Sequence, residues 1–335
     1  MTKDSINIEW LTKSSLMQKY IDEDKSIQLS GGRFYEVLAM NVLSDKYKVS
    51  INTDYIKNEN AFKYFIKNHK PSINAEVYIL DPYILASGKF DVSKKNIAII
   101  HHIDEELGKN NVFGKVFLKR MISNLKKVDL VVVVSEFWKH YLENKGIKNI
   151  EIIYNSYDLN TFNFTQEQIL KFQSKFNFDT NKPLVYLGKI GVGKGVEKAL
   201  KYIDASKYNL VVTGKKMQES NIIVTYFFSE EEFPVFLSKC DVVLAMSTMQ
   251  EGWNRIAHES LLVKTPVIGS GSGGMGELLS KSRQVIIDDW NNLNSKIDYC
   301  IENKDELGNQ GYKYVNQFNL DYFSNRWNEV INKVL

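Results

Sequence analysis

The chain predicts an α/β protein built from two doubly wound parallel-sheet domains facing across a cleft, and three observations carry that expectation. Short apolar runs of strand length alternate with helical patterns from end to end, as strand-helix-strand units in parallel sheets require. The length of 335 residues exceeds one ordinary core and suits two domains of similar weight. Hydrophobic residues make up 44% and charged residues 25%, which is the balance of a globular chain and not of a disordered or fibrous one.

In the first half, strands are expected at 6–11, 48–51, 76–80, 97–101, 130–134 and 151–154. In the second half they are expected at 184–188, 209–212, 222–225, 242–245, 266–268 and 284–287. Each set makes a sheet by itself. The boundary is placed between Asn155 and Lys182, where a polar, Asn- and Gln-rich helix leads to Pro183. The domains are then 1–160 and 161–335, with the last helix a candidate to cross back to the first. In open parallel sheets ligands lie beyond the carboxyl ends of the strands, so two facing sheets can hold a two-part ligand.

Composition narrows the function. No run of eighteen apolar residues exists and Met1 to Ser5 lead into no signal-peptide core, so a cytoplasmic protein is expected. Cys240 and Cys300 are too few for a disulfide framework or a zinc site and are read as buried thiols. The net charge is +3, and the basic excess sits in the first half, with 23 Lys and Arg against 19 Asp and Glu through residue 155. So small an excess, without a stacking platform, gives nucleic-acid binding little support. Lys109 to Lys127 holds Lys115, Lys119, Arg120 and Lys126 and no acid, interleaved with Phe113, Phe117 and Met121. This basic amphipathic helix suits either an anionic membrane surface or packing with a solvated lysine face.

The most informative segment runs from Glu251 through Gly252, Trp253, Asn254 and Arg255 to His258 and Glu259, after a strand and a polar turn. Two carboxylates eight apart return to nearly the same side of a helix, about 12 Å apart along its axis. That separation suits an extended ligand, with one acid on sugar hydroxyls, the other on a ribose, and helix N-terminal amides between them for a diphosphate. Taken alone, the plainer reading is an amphipathic helix with Glu251 as its N-terminal charge and Glu259 solvated or paired. The neighbouring segments tip the balance.

After the strand 266–268 comes a glycine-rich loop, Gly269 to Gly276, that opens a helix at Glu277. Gly271, Gly273 and Gly276 also match the dinucleotide pattern, although that pattern normally opens the first strand-helix unit of a domain. Gly188 to Gly195, again between strand and helix, nearly fits a P-loop. It carries Lys189 and Lys194 but ends in Gly195, where a magnesium-holding Ser or Thr would stand. A P-loop NTPase is therefore not expected, while two lysines remain a cationic clamp for a leaving diphosphate. In the first half, Gly31 and Gly32 open a helix after the first strand, and His101 and His102 end another strand. Strand side chains alternate, so one of these histidines faces the cleft and the other turns away.

In this order and spacing the segments resemble the GT-B glycosyltransferases, most closely the retaining glycosyltransferase family 4 of the broad "glycosyl transferases group 1" class. That resemblance implies two Rossmann-like domains and transfer of a sugar from a UDP- or GDP-linked donor to a glycan, lipid or other hydroxyl acceptor. It implies retention of anomeric configuration, no cofactor and no metal ion. Its catalytic set is His101 or His102 with Lys189, Lys194 and Glu251. Its donor-binding set is Gly31, Gly32, Lys189, Lys194, Glu251, Gly252, Trp253, Asn254, Glu259, Gly273 and Gly274. Glu259 binds the donor ribose, Glu251 the sugar and the lysines the diphosphate. A lipid-linked acceptor would account for the basic helix and place the protein peripherally at the inner membrane face.

Three departures stand out. Lys189 occupies a position more often Arg, Gly252-Trp253-Asn254 replaces Gly-Phe-Gly, and about twenty residues form a long loop between the first strand and Gly31. The Asp22-Glu23-Asp24 triplet imitates a metal motif of the other large glycosyltransferase architecture but is assigned no metal. Two rival functions are an NAD-dependent oxidoreductase or epimerase using Gly271 to Gly276, and a non-catalytic nucleotide-sugar-binding scaffold.

Overall fold

A computed structural model describes residues 6–13, 15–22, 29–53, 74–109, 111–176, 178–214 and 223–335. The chain divides into two compact units, the first formed by 1–156 with 320–335 and the second by 157–319. The first stretch thus ends at Ser156 and not at 160, and the last helix counts with the first unit.

The first unit carries β1 (Asn7–Leu11), β2 (Lys48–Asn52), β3 (Val77–Leu80), β4 (Lys95–Ile100), β5 (Leu130–Val133) and β6 (Ile150–Ile152) in the order β2-β1-β3-β4-β5-β6. The second carries β7 (Leu184–Lys189), β8 (Asn209–Thr213), β9 (Ile223–Tyr226), β10 (Val242–Ala245), β11 (Val267–Gly269) and β12 (Val285–Ile286) in the order β12-β11-β10-β7-β8-β9. Every pairing is parallel. All twelve expected strands are present with ends shifted by a residue or two, residue 222 lying outside the described residues. They were legible because β3, β5 and β10 are buried at every position, as strands covered by helices on both faces must be.

Among the described residues, the helices of the first unit before its last are α1 (Ser15–Asp22), α2 (Gly31–Ser44), α3 (Pro82–Ser87), α4 (Glu106–Lys109), α5 (Val112–Leu125) and α6 (Glu136–Glu143). Those of the second are α7 (Gln166–Lys175), α8 (Val196–Ala199), α9 (Glu232–Lys239), α10 (Arg255–Leu262), α11 (Gly274–Lys281), α12 (Leu293–Glu302) and α13 (Lys304–Val315). The last, α14 (Leu320–Val334), buries Phe323, Trp327, Val330 and Ile331 in the first unit, with the Trp10 and Trp327 rings 5.9 Å apart and Phe323 edge-on to Tyr35.

Two sequence expectations change here. The stretch between β1 and Gly31 is not all loop, because α1 lies in it, anchored by the fully buried Met17. Asp22 closes that helix, while Glu23 and Asp24 lie outside the described residues. The basic stretch from Lys109 to Lys127 is also not one helix. Asn111 is not helical and its side-chain oxygen accepts the Phe113 amide at 2.9 Å, so α5 starts at Val112 and stops at Leu125. A Cβ on Gly114 would come within 1.9 Å of the Leu107 carbonyl oxygen, which shows how tightly α4 folds back on α5. No helix of the described residues is long and apolar enough to cross a membrane.

Candidate functional site

In the second unit the chain reverses direction across the sheet between β7 and β10, and such a switch point opens a crevice at the strands' carboxyl ends. Three loops meet there because β11, β10 and β7 are neighbours. Thr248 N–H and Ser247 Oγ both donate to the Gly193 carbonyl, at 2.8 and 2.9 Å, tying the loop after β10 to the loop after β7. The Gly274 amide donates to the Glu251 carbonyl at 2.8 Å, and Ser270 Oγ donates to the Ser247 carbonyl, tying in the loop after β11.

Glycines make these approaches possible. Gly195 has φ +75, and a Cβ there would lie 1.8 Å from the Met246 carbonyl oxygen. That distance explains why no Ser or Thr stands at the P-loop position: a side chain cannot fit. Gly273 has φ +68, and its Cβ would lie 2.4 Å from the Glu251 carbonyl oxygen. Close backbone approach at Gly273 therefore serves Glu251.

The predicted side chains lie on these loops and on the helix that follows. Lys194 Nζ lies 2.7 Å from Glu251 Oε1, a pair joining the β7 loop to the β10 loop. Lys189, at the end of β7, is exposed. Glu251 lies ahead of α10 and not within it, because Asn254 at φ +78 turns the chain and the helix begins only at Arg255. The expected single helix carrying both acids is thus replaced by a loop, a helix N-terminus and one helical turn. Asn254 also caps that helix, its Oδ1 accepting the Ala257 amide at 2.9 Å. Gly252 is buried, as is Trp253 after it.

Glu259 is buried on α10, and Arg255 holds it, with Nη2 and Nε at 2.9 and 3.2 Å from Oε1. Arg255 Nε also lies 3.3 Å from the Tyr157 hydroxyl. This i,i+4 partner was not anticipated, although its spacing from Glu259 was visible in the sequence. Trp253, expected in a donor pocket, turns inward instead: it is 2% exposed and its indole donates to His258 Nδ1 at 3.0 Å. Burial, reinforced by the nearby Arg255 charge, lowers His258 to about 3, which leaves the ring neutral and able to accept that bond.

In the first unit, α2 begins at Gly31, and its N-cap Ser30 makes no side-chain bond to the first turn. A Cβ on Gly32 would lie 2.8 Å from His101 Cδ2, so this glycine keeps space for the imidazole. The two strand-end histidines differ in their surroundings. His101 packs edge-on to Tyr35 with its Nε2 3.3 Å from Glu36 Oε1, whereas His102 is exposed. Glu36 and Trp10 were not anticipated as its surroundings.

Two parallel sheets, one carrying a cation beside a carboxylate at its switch point, give the two-domain α/β architecture of the GT-B fold. Comparison with known proteins agrees. Residues 167–316 match the family described as glycosyl transferases group 1. An uncharacterized glycosyltransferase of Methanocaldococcus jannaschii is 26% identical over 249 residues, a match covering 69% of this chain and 66% of that one, just under two thirds of its length. Among solved structures, sucrose-phosphate synthase of Thermosynechococcus elongatus shares the fold with TM-score 0.77 at 15% identity, covering 98% of this chain and 99% of that one. HepE of Anabaena, solved with UDP-glucose, shares it with TM-score 0.74 at 16% identity, covering 98% of this chain and 100% of that one. The second unit therefore carries a domain of the glycosyl transferases group 1 family.

Proposed function

We propose that this enzyme moves a sugar from a UDP- or GDP-linked donor to a glycan, lipid-linked or other hydroxyl acceptor, with retention of anomeric configuration as in glycosyltransferase family 4 and without a metal ion. The observation that carries this reading is the Lys194–Glu251 pair, which joins the loops after β7 and β10 at the switch point of one sheet, with Glu259 on the helix that follows. HepE, which has the same fold, binds UDP-glucose, and this supports the donor class.

In this reading the donor diphosphate takes Lys194 from Glu251, and Lys189 and the amides at Gly273 and Gly274 join it. Glu251, released, accepts from hydroxyls of the transferred sugar. Glu259 keeps Arg255 on Oε1 and turns its other oxygen to the ribose. As the glycosidic bond breaks, charge develops on the departing diphosphate, and cations fixed beforehand stabilise it more than they stabilise the bound donor. The acceptor hydroxyl attacks from the face the diphosphate leaves, without a protein nucleophile, and gives its proton to the departing diphosphate oxygen. From the first unit, the Gly31 and Gly32 amides and His101 take part in transfer.

Lys194→Ala and Glu259→Ala should each lower kcat/KM by about 100-fold, roughly 2.7 kcal/mol of transition-state stabilisation, with the unfolding midpoint kept within a few degrees. Thermal shift with UDP, GDP, ADP and NAD reports the nucleotide. Stabilisation by NAD alone would return the oxidoreductase reading, and no response to any of the four would favour a scaffold. NMR of the first-formed product reports its anomeric configuration, and undiminished turnover in EDTA is expected.

The outward face of α5 favours a further proposal, a peripheral membrane contact. Val112 and Val116 are 78% and 48% exposed and alternate with exposed Lys115 and Lys119, while Arg120 is committed to the Ala86 and Ser87 carbonyls. Vesicles containing phosphatidylglycerol should float the protein, and Lys115→Glu with Lys119→Glu should weaken binding at least tenfold at about 1 kcal/mol per lysine. Equal flotation of the double variant would remove this contact.

A further inference from the structure

The carboxylate of Glu36 is buried in the first unit, and the mechanism above makes no use of it. It sits on α2 one turn beyond Gly32, facing two ring systems. Oε2 accepts the indole N–H of Trp10 at 2.9 Å, and Oε1 lies 3.3 Å from Nε2 of His101. Trp10 belongs to β1, His101 follows β4, and Glu36 therefore joins the sheet to the helix that opens at the glycines. The surroundings hold this arrangement rigid. Trp10 is fully buried against Trp327, and Tyr35 lies edge-on to the imidazole with its own hydroxyl donating to the Ile153 carbonyl at 3.1 Å.

A carboxylate only accepts hydrogen bonds, and the indole has already claimed one of its two oxygens. The ring nitrogen of His101 facing the other oxygen must then be the one that bears hydrogen. We propose that Glu36 is a positioning residue that holds His101 in the Nε2–H tautomer, leaving Nδ1 as the ring nitrogen offered to the reacting sugar. Gly32 completes the arrangement, because any side chain there would push the imidazole off its carboxylate. A second polar group behind a ring commonly sets both its orientation and its tautomer. The catalytic consequence rests on the role given above to His101, whereas the tautomer does not.

The experiment uses the full chain labelled with 15N in histidine. In the wild-type protein, the ring nitrogen shifts of His101 should show hydrogen on Nε2, and hydrogen on Nδ1 would overturn the inference without any variant. Glu36→Gln keeps the shape and the acceptor for Trp10, but its amide nitrogen donates to Nε2, so the ring should change to the Nδ1–H form. With that change, kcat should fall roughly 10- to 100-fold, the range typical of an orienting partner, while the donor KM stays within about twofold. An unchanged tautomer in Glu36→Gln overturns the inference. A changed tautomer with full kcat overturns it too, provided His101→Ala is impaired. Full turnover in His101→Ala would overturn the role of the histidine and the catalytic consequence drawn from it, whereas the tautomer is decided by the ring nitrogen shifts alone.

Discussion

Two buried residues set opposite pH responses in the two units. Asp81 follows β3 and caps α3, accepting the Tyr83 and Ile84 amides at 2.8 and 2.9 Å, the Lys13 amide at 2.7 Å and the Thr12 hydroxyl at 3.0 Å. Burial outweighs these bonds and raises its carboxyl from 3.8 to about 6. The native state therefore keeps a proton that the unfolded chain has released, and the stabilisation is complete below pH 3.8 and lost as pH rises through about 6. His258 behaves in the opposite sense. Its ring falls from 6.5 to about 3, so its contribution is complete above pH 6.5 and lost as pH drops toward 3. Mild acid should then weaken the second unit while easing the cost of burying Asp81 in the first. Chemical denaturation from pH 4 to 7 should show His258→Phe flattening the acid loss by a few kcal/mol, and Asp81→Asn removing the decline toward neutrality. A wild-type pH slope retained in both variants would refute these assignments. The same neutral ring explains Trp253, whose indole needs a buried acceptor where a Phe would need none.

At the level of single elements, the loop after β7 separates glycines needed for shape from those that are not. A Cβ on Gly191 would meet only the Lys194 side chain, at 3.6 Å, which is ordinary contact. At Gly195 it would run into the Met246 carbonyl from a backbone at φ +75. Gly195→Ala should cost roughly 1–3 kcal/mol and, by pulling the β7 loop from the β10 loop, remove nucleotide stabilisation. Gly191→Ala should leave unfolding and nucleotide response near wild type. Similar midpoints for both variants would mean that the contact at Met246 does not hold the loop. Sequence periodicity could not rank these glycines, because what separates them is a carbonyl contributed by a strand end more than fifty residues away. Asn254 shows the converse case: a non-glycine residue takes a positive φ where its side chain can cap the next helix, so Gly-Phe-Gly could be replaced without losing the turn.

For the whole molecule, the division into units predicts what truncation does. A chain ending at Asn319 keeps all of the second unit but loses α14, and with it buried Phe323, Trp327, Val330 and Ile331. At roughly 1.5–3 kcal/mol for each such side chain, the loss rivals the usual 5–15 kcal/mol of a domain. The first unit should then lose its cooperative unfolding transition while nucleotide binding by the second survives. Calorimetry with and without UDP checks both outcomes, and two intact transitions in the truncated chain would show that α14 is dispensable.

The amino-acid order by itself determined the twelve strands, the two-sheet class and the loops that carry lysines, acids and glycines, because buried apolar runs and glycine-rich turns are local signals. Tertiary structure alone decided which side chains meet: Lys194 with Glu251, Arg255 with Glu259, Trp253 with His258, and Glu36 with both Trp10 and His101. It likewise decided that α14 completes the first unit. Most of these partners stand far apart along the chain, and only the i,i+4 spacing of Arg255 and Glu259 was legible beforehand. The pairings between distant residues depend on strand order, which brings separate loops to the same end of a sheet and which no local pattern of residues encodes.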